Sequence, residues 1–163
     1  DPTAGEFIAI DQKNRIVYIY DEFYQQGMLT QPIAQALAQH KAIGLPIIAD
    51  SAEQRLIVEL SQVFHVPNIR PAGKGKDSVI QGIQYMQSYH FVVHPRVKGL
   101  LEEFNTYVYD KDKEGNWLNT PEDANNHAID SLRYAMELFM FTQHGQYMSY
   151  QERQQAVKNL GLI

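Results

Sequence analysis

The residues of this sequence that are best placed to do chemistry are a histidine and an aspartate, His127 and Asp130. They occur in the stretch NNHAIDSLRYAMELF, whose apolar residues recur at the spacing of one helix face, with Asn125 or Asn126 as a plausible cap. At about 100° per residue, the two side chains lie close together, away from the apolar stripe. Two interpretations stay open: a solvated polar face, or a metal site that the helix shares with another element.

A partner for this pair is offered by Asp50, which ends the short apolar run LPIIAD. In α/β proteins, the carboxyl ends of buried strands border the crevice where ligands bind. An equally good interpretation is that Asp50 caps the helix that follows, with Glu53 completing a capping box. Asp50, His127 and Asp130 together form an oxygen-rich set with one imidazole and no thiolate. Such a set suits Mg²⁺ or Mn²⁺ better than structural zinc.

A basic, glycine-bearing loop is the other candidate for function. The stretch RPAGKGKDS brings Arg70, Lys74 and Lys76 together, and these cations could bind phosphate groups. The spacing of a P-loop is absent, since Lys76 is followed by Asp77. The alternative is a solvated turn that precedes a helix.

The elements that must position these residues alternate along the chain after an initial β-hairpin. The predicted elements are a hairpin within 5–24, strands at 45–50, 68–72 and 90–95, and helices at 29–40, 51–64, 78–88, 96–109 and from 127 onward. The segment DKDKEGNWLN is predicted as a charged turn between extended pieces. This order indicates an α/β domain over 1–141, with a mixed sheet whose later strands are parallel. A tail over 142–163 follows, with a weak helix near 151–160.

The composition restricts the classes of function. The chain has 163 residues, no cysteine and a formal net charge of −5. Disulfides and thiolate metal sites are therefore excluded, and a nuclease would have to concentrate its basic residues locally. No apolar run approaches the roughly 20 residues that span a bilayer, so no membrane segment is predicted.

Several stretches together resemble the C-terminal nuclease domain of tailed-phage terminase large subunits. They are ADSAEQRLIVEL, RPAGKGKDSVIQGIQYMQS and YDKDKEGNWLNTPEDANNHAIDSLRYAME, preceded by DPTAGEFIAI and YDEFYQQGMLTQPIAQAL. The resemblance extends to about Phe141. It implies a ribonuclease H-like fold and a Mg²⁺- or Mn²⁺-dependent endonuclease that cuts concatemeric viral double-stranded DNA during packaging.

The resemblance also implies roles for individual residues. Asp50 and Asp130 match the metal-binding aspartates of a two-metal site, His127 matches a neighbouring histidine that ligates metal or orients water, and Lys74 and Lys76 fall in a basic loop. In such a site the two cations generate the attacking hydroxide and stabilise the leaving 3′ oxygen. The family's remaining aspartate belongs to a Gly-x-Asp-x-Gly strand that precedes a segment like DPTA. We expect that strand and its ligand to be missing from this chain.

The expected partners are double-stranded DNA, the portal and the small terminase subunit, in the cytoplasm of a bacterial host. Nothing resembles the Walker motifs of a packaging motor, so no ATP hydrolysis is expected. Two alternatives remain. One is another ribonuclease H-like phosphotransferase, such as a junction resolvase or transposase core. The other is a non-catalytic assembly module for DNA packaging, in which an incomplete carboxylate set serves binding alone.

Overall fold

The computed structural model describes residues 1–73, 75, 78–122, 124–143, 146–147 and 150–159 of the chain. The strands are β1 (Pro2–Asp11), β2 (Ile16–Gln26), β3 (Ile47–Ala49), β4 (Ile69–Pro71), β5 (His90–Val93), β6 (Tyr109–Lys111), β7 (Trp117–Pro121), β8 (Thr142–Gln143) and β9 (Gln146–Tyr147). The helices are α1 (Thr30–Gln39), α2 (Gln54–Gln62), α3 (Ser78–Gln87), α4 (Lys98–Thr106), α5 (His127–Met140) and α6 (Tyr150–Asn159).

Strands β1 and β2 form the predicted antiparallel hairpin. Its turn is closed by Asp11, whose carboxylate accepts hydrogen bonds from the backbone and side-chain amides of Asn14 at 3.0 and 2.7 Å. These bonds lower the pKa of Asp11 because they favour its charged form. Strand β5 pairs with β2 in the parallel direction, which gives the order β1-β2-β5. The predicted mixed sheet is thus confirmed.

Strands β3 and β4 form a second, parallel pair. Within the described part of the chain, no strand is hydrogen-bonded between β1 and β3, so each has one unpaired edge. Both edges border the same cleft, and α5 packs against β1 and β3. The sheet is therefore interrupted between β1 and β3, and α5 packs against the strands on both sides of this gap.

Helices cover both faces of the hairpin, and each face has its own apolar core. Successive residues of a strand point to opposite faces, so Phe7 and Ile8 enter different cores. The core on the side of α3, α4 and α5 includes Val17, Ile19, Tyr85, Leu100, Leu132 and Met136. The core on the side of α1 and α2 includes Ile33, Leu37, Leu60 and Val66. Helix α5 is thereby held between the sheet and two other helices.

Two predicted helices were too long. The helix predicted over 51–64 begins only at Gln54, because the chain first makes a turn after β3. The helix predicted over 96–109 spans α4 alone. Its first turn is fixed by Glu22, whose carboxylate accepts hydrogen bonds from the backbone N–H groups of 98–100. A carboxylate at a helix N-terminus satisfies donors that have no partner within the helix, so β2 sets where α4 begins.

The remaining elements lie at the edges of the domain. The charged segment before α5 forms an antiparallel hairpin of β6 and β7. This agrees with the prediction of a turn between two extended pieces. The weak helix predicted near 151–160 corresponds to α6. Among the described residues, no helix has the length and apolar character needed to cross a bilayer. The division of the chain at residue 141 stays a prediction.

Candidate metal centre

A cleft of about 1000 Å³ lies between the unpaired edges of β1 and β3. Residues of α5 line one side of it, and residues of α1 and α2 line another. Asp50, His127 and Asp130 all line this cleft, although about 80 positions of sequence separate the first from the other two. The structure thus brings the three sequence-predicted residues into one cavity.

Asp50 directly follows β3 and is partly buried. Its Oδ1 accepts a hydrogen bond of 2.9 Å from the backbone N–H of Ala52, which closes the turn before α2. The N-cap position of α2 belongs to Glu53, and no side-chain cap bond forms there. The capping-box interpretation of Asp50 is therefore wrong, and in the described structure its Oδ2 accepts no hydrogen bond.

Asp130 lies in the first turn of α5 and is paired with Arg133. Both Nε and one terminal nitrogen of the guanidinium donate to Asp130 Oδ1, at 3.1 and 2.9 Å. The arginine side chain is only 8% exposed, whereas that of Asp130 is 27% exposed. Asp130 is therefore a partly buried carboxylate at the wall of the cleft, and only its Oδ1 is bonded to Arg133. It does not belong to a solvated face.

His127 is the first residue of α5 and is held less firmly. Its Nε2 lies 4.0 Å from Oδ1 of Asp1, whose side chain is almost fully exposed. An imidazole at this distance makes at most a weak ion pair. His127 can therefore turn toward a ligand without breaking a strong contact.

The first turn of α5 is anchored by a buried carboxylate from α4. Glu103, which is 3% exposed, accepts a hydrogen bond from the backbone N–H of Ile129 at 2.9 Å and another from the Tyr24 hydroxyl at 3.0 Å. Asn126 occupies the predicted cap position, but it makes no side-chain cap bond. Glu103 thus satisfies an orphan donor of α5 and fixes the turn that carries His127 and Asp130.

Glu6 has a buried side-chain carboxyl group that forms no hydrogen bond within the described part of the chain. Its backbone N–H donates to the Ser131 hydroxyl on α5, but both side-chain oxygens are buried, and no described group hydrogen-bonds to them. Burial raises the pKa of Glu6 to about 9, with further contributions from the nearby charges of Glu22 and Glu103. The group is therefore neutral at pH 7 in the folded protein.

Glu6→Gln should increase the free energy of unfolding above neutral pH. Between pH 4.5 and about 9, the unfolded chain ionises Glu6 while the folded chain keeps it protonated, so the wild-type protein loses stability as the pH rises through this window. Glutamine resembles the protonated acid and does not titrate. The expected gain is about 3–5 kcal/mol at pH 8 and close to zero at pH 4. Urea unfolding at the two pH values measures it, and an equal effect at both would contradict the assignment.

The predicted basic loop belongs only in part to the described residues. Arg70 lies within β4, as the strand predicted over 68–72 implies, and it pairs there with Ile48 of β3. Lys74 and Lys76 lie outside the described residues. The loop begins at Gly73, whose backbone N–H donates to Oε1 of Glu137 at 2.7 Å. The start of the loop is therefore tied to α5, two turns beyond Asp130.

The donor set suits an oxygen-preferring cation but is incomplete. Asp50, Asp130 and His127 are among the residues that border the cleft, and in the described structure each of the two aspartates has an oxygen that accepts no hydrogen bond. Mg²⁺ and Mn²⁺ are held by such ligands. Among the described residues, however, no three His, Asp or Glu side chains converge closely enough to hold a metal ion.

Sequence reasoning missed Tyr134, which also lines the cleft. Burial raises the pKa of its hydroxyl, and the negative charges of Asp130 and, more weakly, Asp50 raise it further. Tyr134 therefore lies within electrostatic range of both carboxylates. The spacing could have identified Tyr134, because it follows Asp130 by four residues and so lies on the same helix face.

Comparison with known proteins identifies the family. The sequence profile described as the terminase RNase H-like domain matches residues 1–138. The terminase large subunit of Bacillus phage SPP1 is 32% identical over 139 residues, which cover 84% of this chain and 33% of that protein. The PBSX phage terminase large subunit of Bacillus subtilis is 27% identical over 133 residues, covering 80% of this chain and 30% of its own length. The chain thus spans about a third of these relatives.

Solved structures agree with this result. The SPP1 large terminase nuclease domain, solved with bound Mn, is 32% identical and superposes with a TM-score of 0.79, over 84% of this chain and 78% of that one. The P22 large terminase nuclease domain is 15% identical and shares the fold, with a TM-score of 0.57 over 88% of this chain and 78% of its own. The predicted ribonuclease H-like fold is confirmed, and the chain belongs to the family of terminase RNase H-like domains.

Proposed function

We propose that this chain is the nuclease unit of a phage terminase large subunit, a Mg²⁺- or Mn²⁺-dependent endonuclease that cuts concatemeric double-stranded DNA. The observation that carries the proposal is the convergence of Asp50 and Asp130 on one cleft. A relative with 32% identity was solved with Mn bound, which supports divalent metal use here. Nicking of supercoiled plasmid tests the proposal: it should require Mn²⁺ and stop on chelation, and chelator-resistant nicking would contradict it.

Asp50 and Asp130 would hold the cation, and His127 would complete its coordination or orient a water. A bound divalent cation would supply an activated water and charge stabilisation for the leaving oxygen. The protein's own contribution is positional. Asp50 is fixed by its turn, and Asp130 by the anchored start of α5, so neither carboxylate must reorganise when DNA arrives.

The missing ligand would come from a strand inserted between β1 and β3. Within the described part of the chain, no strand pairs with the facing edges of β1 and β3, and the two aspartates border the cleft between them. We therefore propose that a strand of a longer form of the protein pairs there and brings a third carboxylate. A complete set of this kind would support the two-metal site implied by the family resemblance.

DNA would approach along the cleft and contact the basic loop. Lys74 and Lys76 would bind backbone phosphates, which fix position without reading sequence. Arg70, located in β4, would contribute from the strand beside them. In the full-length protein, the portal and the small terminase subunit would be partners in the host cytoplasm.

A second candidate is a non-catalytic packaging module. The lack of three converging ligands among the described residues favours it. Thermal unfolding separates the candidates, because a nuclease should gain stability on addition of Mn²⁺ and a module without a site should not.

A further inference from the structure

Arg133 is buried beside the candidate centre but is not part of the cleft wall. It lines a small cavity of about 40 Å³ together with Gly82 of α3 and Glu137 of α5. Asp130 lines the large cleft instead. The guanidinium therefore reaches Asp130 from the side of α3, behind the surface at which a cation would bind.

The packing of α3 holds the arginine in this position. A Cβ added at Gly82 would lie 2.7 Å from both Cγ and Cδ of Arg133, which is too close for any real contact. Only glycine at position 82 leaves room for the aliphatic stem. The guanidinium carbon also lies 4.5 Å from the centre of the Tyr134 ring, within the range of a cation–π contact. Helix α3 and the Tyr134 ring thus both pack against the arginine side chain.

The hydrogen bonds from Arg133 to Asp130 go to only one of the two carboxylate oxygens. Two of the three guanidinium nitrogens, Nε and Nη2, donate to Oδ1, and in the described structure Oδ2 accepts no hydrogen bond. We infer that Arg133 is a positioning residue for the proposed metal centre: it holds Asp130 by Oδ1 and reserves Oδ2 for the cation. This inference rests on the proposed function.

A fixed positive charge behind a metal ligand has two opposite effects. It repels the cation, which weakens metal binding. It also fixes the rotamer of the ligand, which keeps the cation in the geometry that cleavage requires. Removal of Arg133 should therefore improve cation binding and impair cleavage. A residue with a merely structural role would not separate these two quantities.

Arg133→Met tests the inference, because methionine keeps an unbranched apolar stem beside Gly82 and lacks the charge. Calorimetric titration should show Mn²⁺ binding that is about 3-fold to 10-fold tighter than in the wild-type chain. Plasmid nicking at saturating Mn²⁺ should be about 10-fold slower or worse. Arg15→Met is the matched control: it removes the same charge at the hairpin turn, where Arg15 contacts Ser88 and Tyr89, and both quantities should stay at wild-type values.

Gly82→Ala provides a second test that leaves every charge in place. Its new methyl group must displace Arg133, so nicking should fall while thermal unfolding confirms a folded chain. Wild-type nicking in folded Gly82→Ala, or a parallel loss of Mn²⁺ affinity and nicking in Arg133→Met, would overturn the inference. A wild-type chain that neither binds Mn²⁺ nor nicks DNA would overturn the proposed function, and the inference with it.

Discussion

Asp50→Asn and Asp130→Asn should each reduce Mn²⁺-dependent nicking of supercoiled plasmid by about 100-fold or more. Each change replaces an anionic oxygen donor by a neutral amide of the same shape. The turn after β3 can still form, because the Asn side-chain oxygen can accept the hydrogen bond from Ala52. Loss of the metal ligand is therefore the dominant effect on nicking. The melting temperature without metal should change little in Asp50→Asn and should fall in Asp130→Asn, because the buried Arg133 loses its charged partner.

The control for these variants is Asp11→Asn, the same chemical change at the turn of the β1–β2 hairpin. Asp11 bonds Asn14 and does not line the cleft, so this variant should nick plasmid at the wild-type rate. Circular dichroism establishes that all three variants are folded. Wild-type nicking by either folded cleft variant would refute the assignment of that aspartate.

A longer version of the chain, with an upstream Gly-x-Asp-x-Gly strand, should cleave DNA at least about 10-fold faster and unfold at a higher temperature than residues 1–163 alone. The strand would pair with the free edges of β1 and β3 and complete the backbone hydrogen bonds of an interrupted sheet. Its aspartate would add a third carboxylate to Asp50 and Asp130. Differential scanning calorimetry and nicking at matched Mn²⁺ concentrations measure both effects.

The matched control for this comparison is the longer chain with that strand aspartate changed to asparagine. It should keep the gain in stability and lose the gain in cleavage, because backbone pairing does not depend on the carboxylate. Equal nicking rates for the longer and shorter chains would show that the shorter chain already holds a complete ligand set. Asp1, beside His127, would then be the residue to examine.

The periodic elements were predictable from sequence because local patterns determine them. The hairpin around Asp11, the apolar run before Asp50 and the stripe of α5 all appear where the pattern placed them. Helix ends were less predictable, since distant side chains determine them. Glu22 sets the start of α4 from 76 positions away, and Glu103 anchors the start of α5 from a different helix.

The residues of the candidate site were predictable from the sequence, but the buried residues that hold them in place were not. Asp50, His127 and Asp130 could be selected from residue type, spacing and resemblance. The buried charges behind them could not, because a charged residue in a helix normally predicts a solvated face. Arg133 is buried only because Gly82, on another helix, leaves space for it. Tertiary packing of that kind leaves no periodic signal in a single sequence.

The measurement that tests the central claim most directly is anomalous diffraction from a crystal of this chain soaked in Mn²⁺. The claim is that the cleft between β1 and β3 binds the cation through Asp50 and Asp130. An anomalous peak within about 2.5 Å of a carboxylate oxygen of each aspartate, with His127 nearby, is the predicted result. A fully soaked crystal with no peak in this cleft, or with Mn²⁺ bound only elsewhere on the domain, would contradict it.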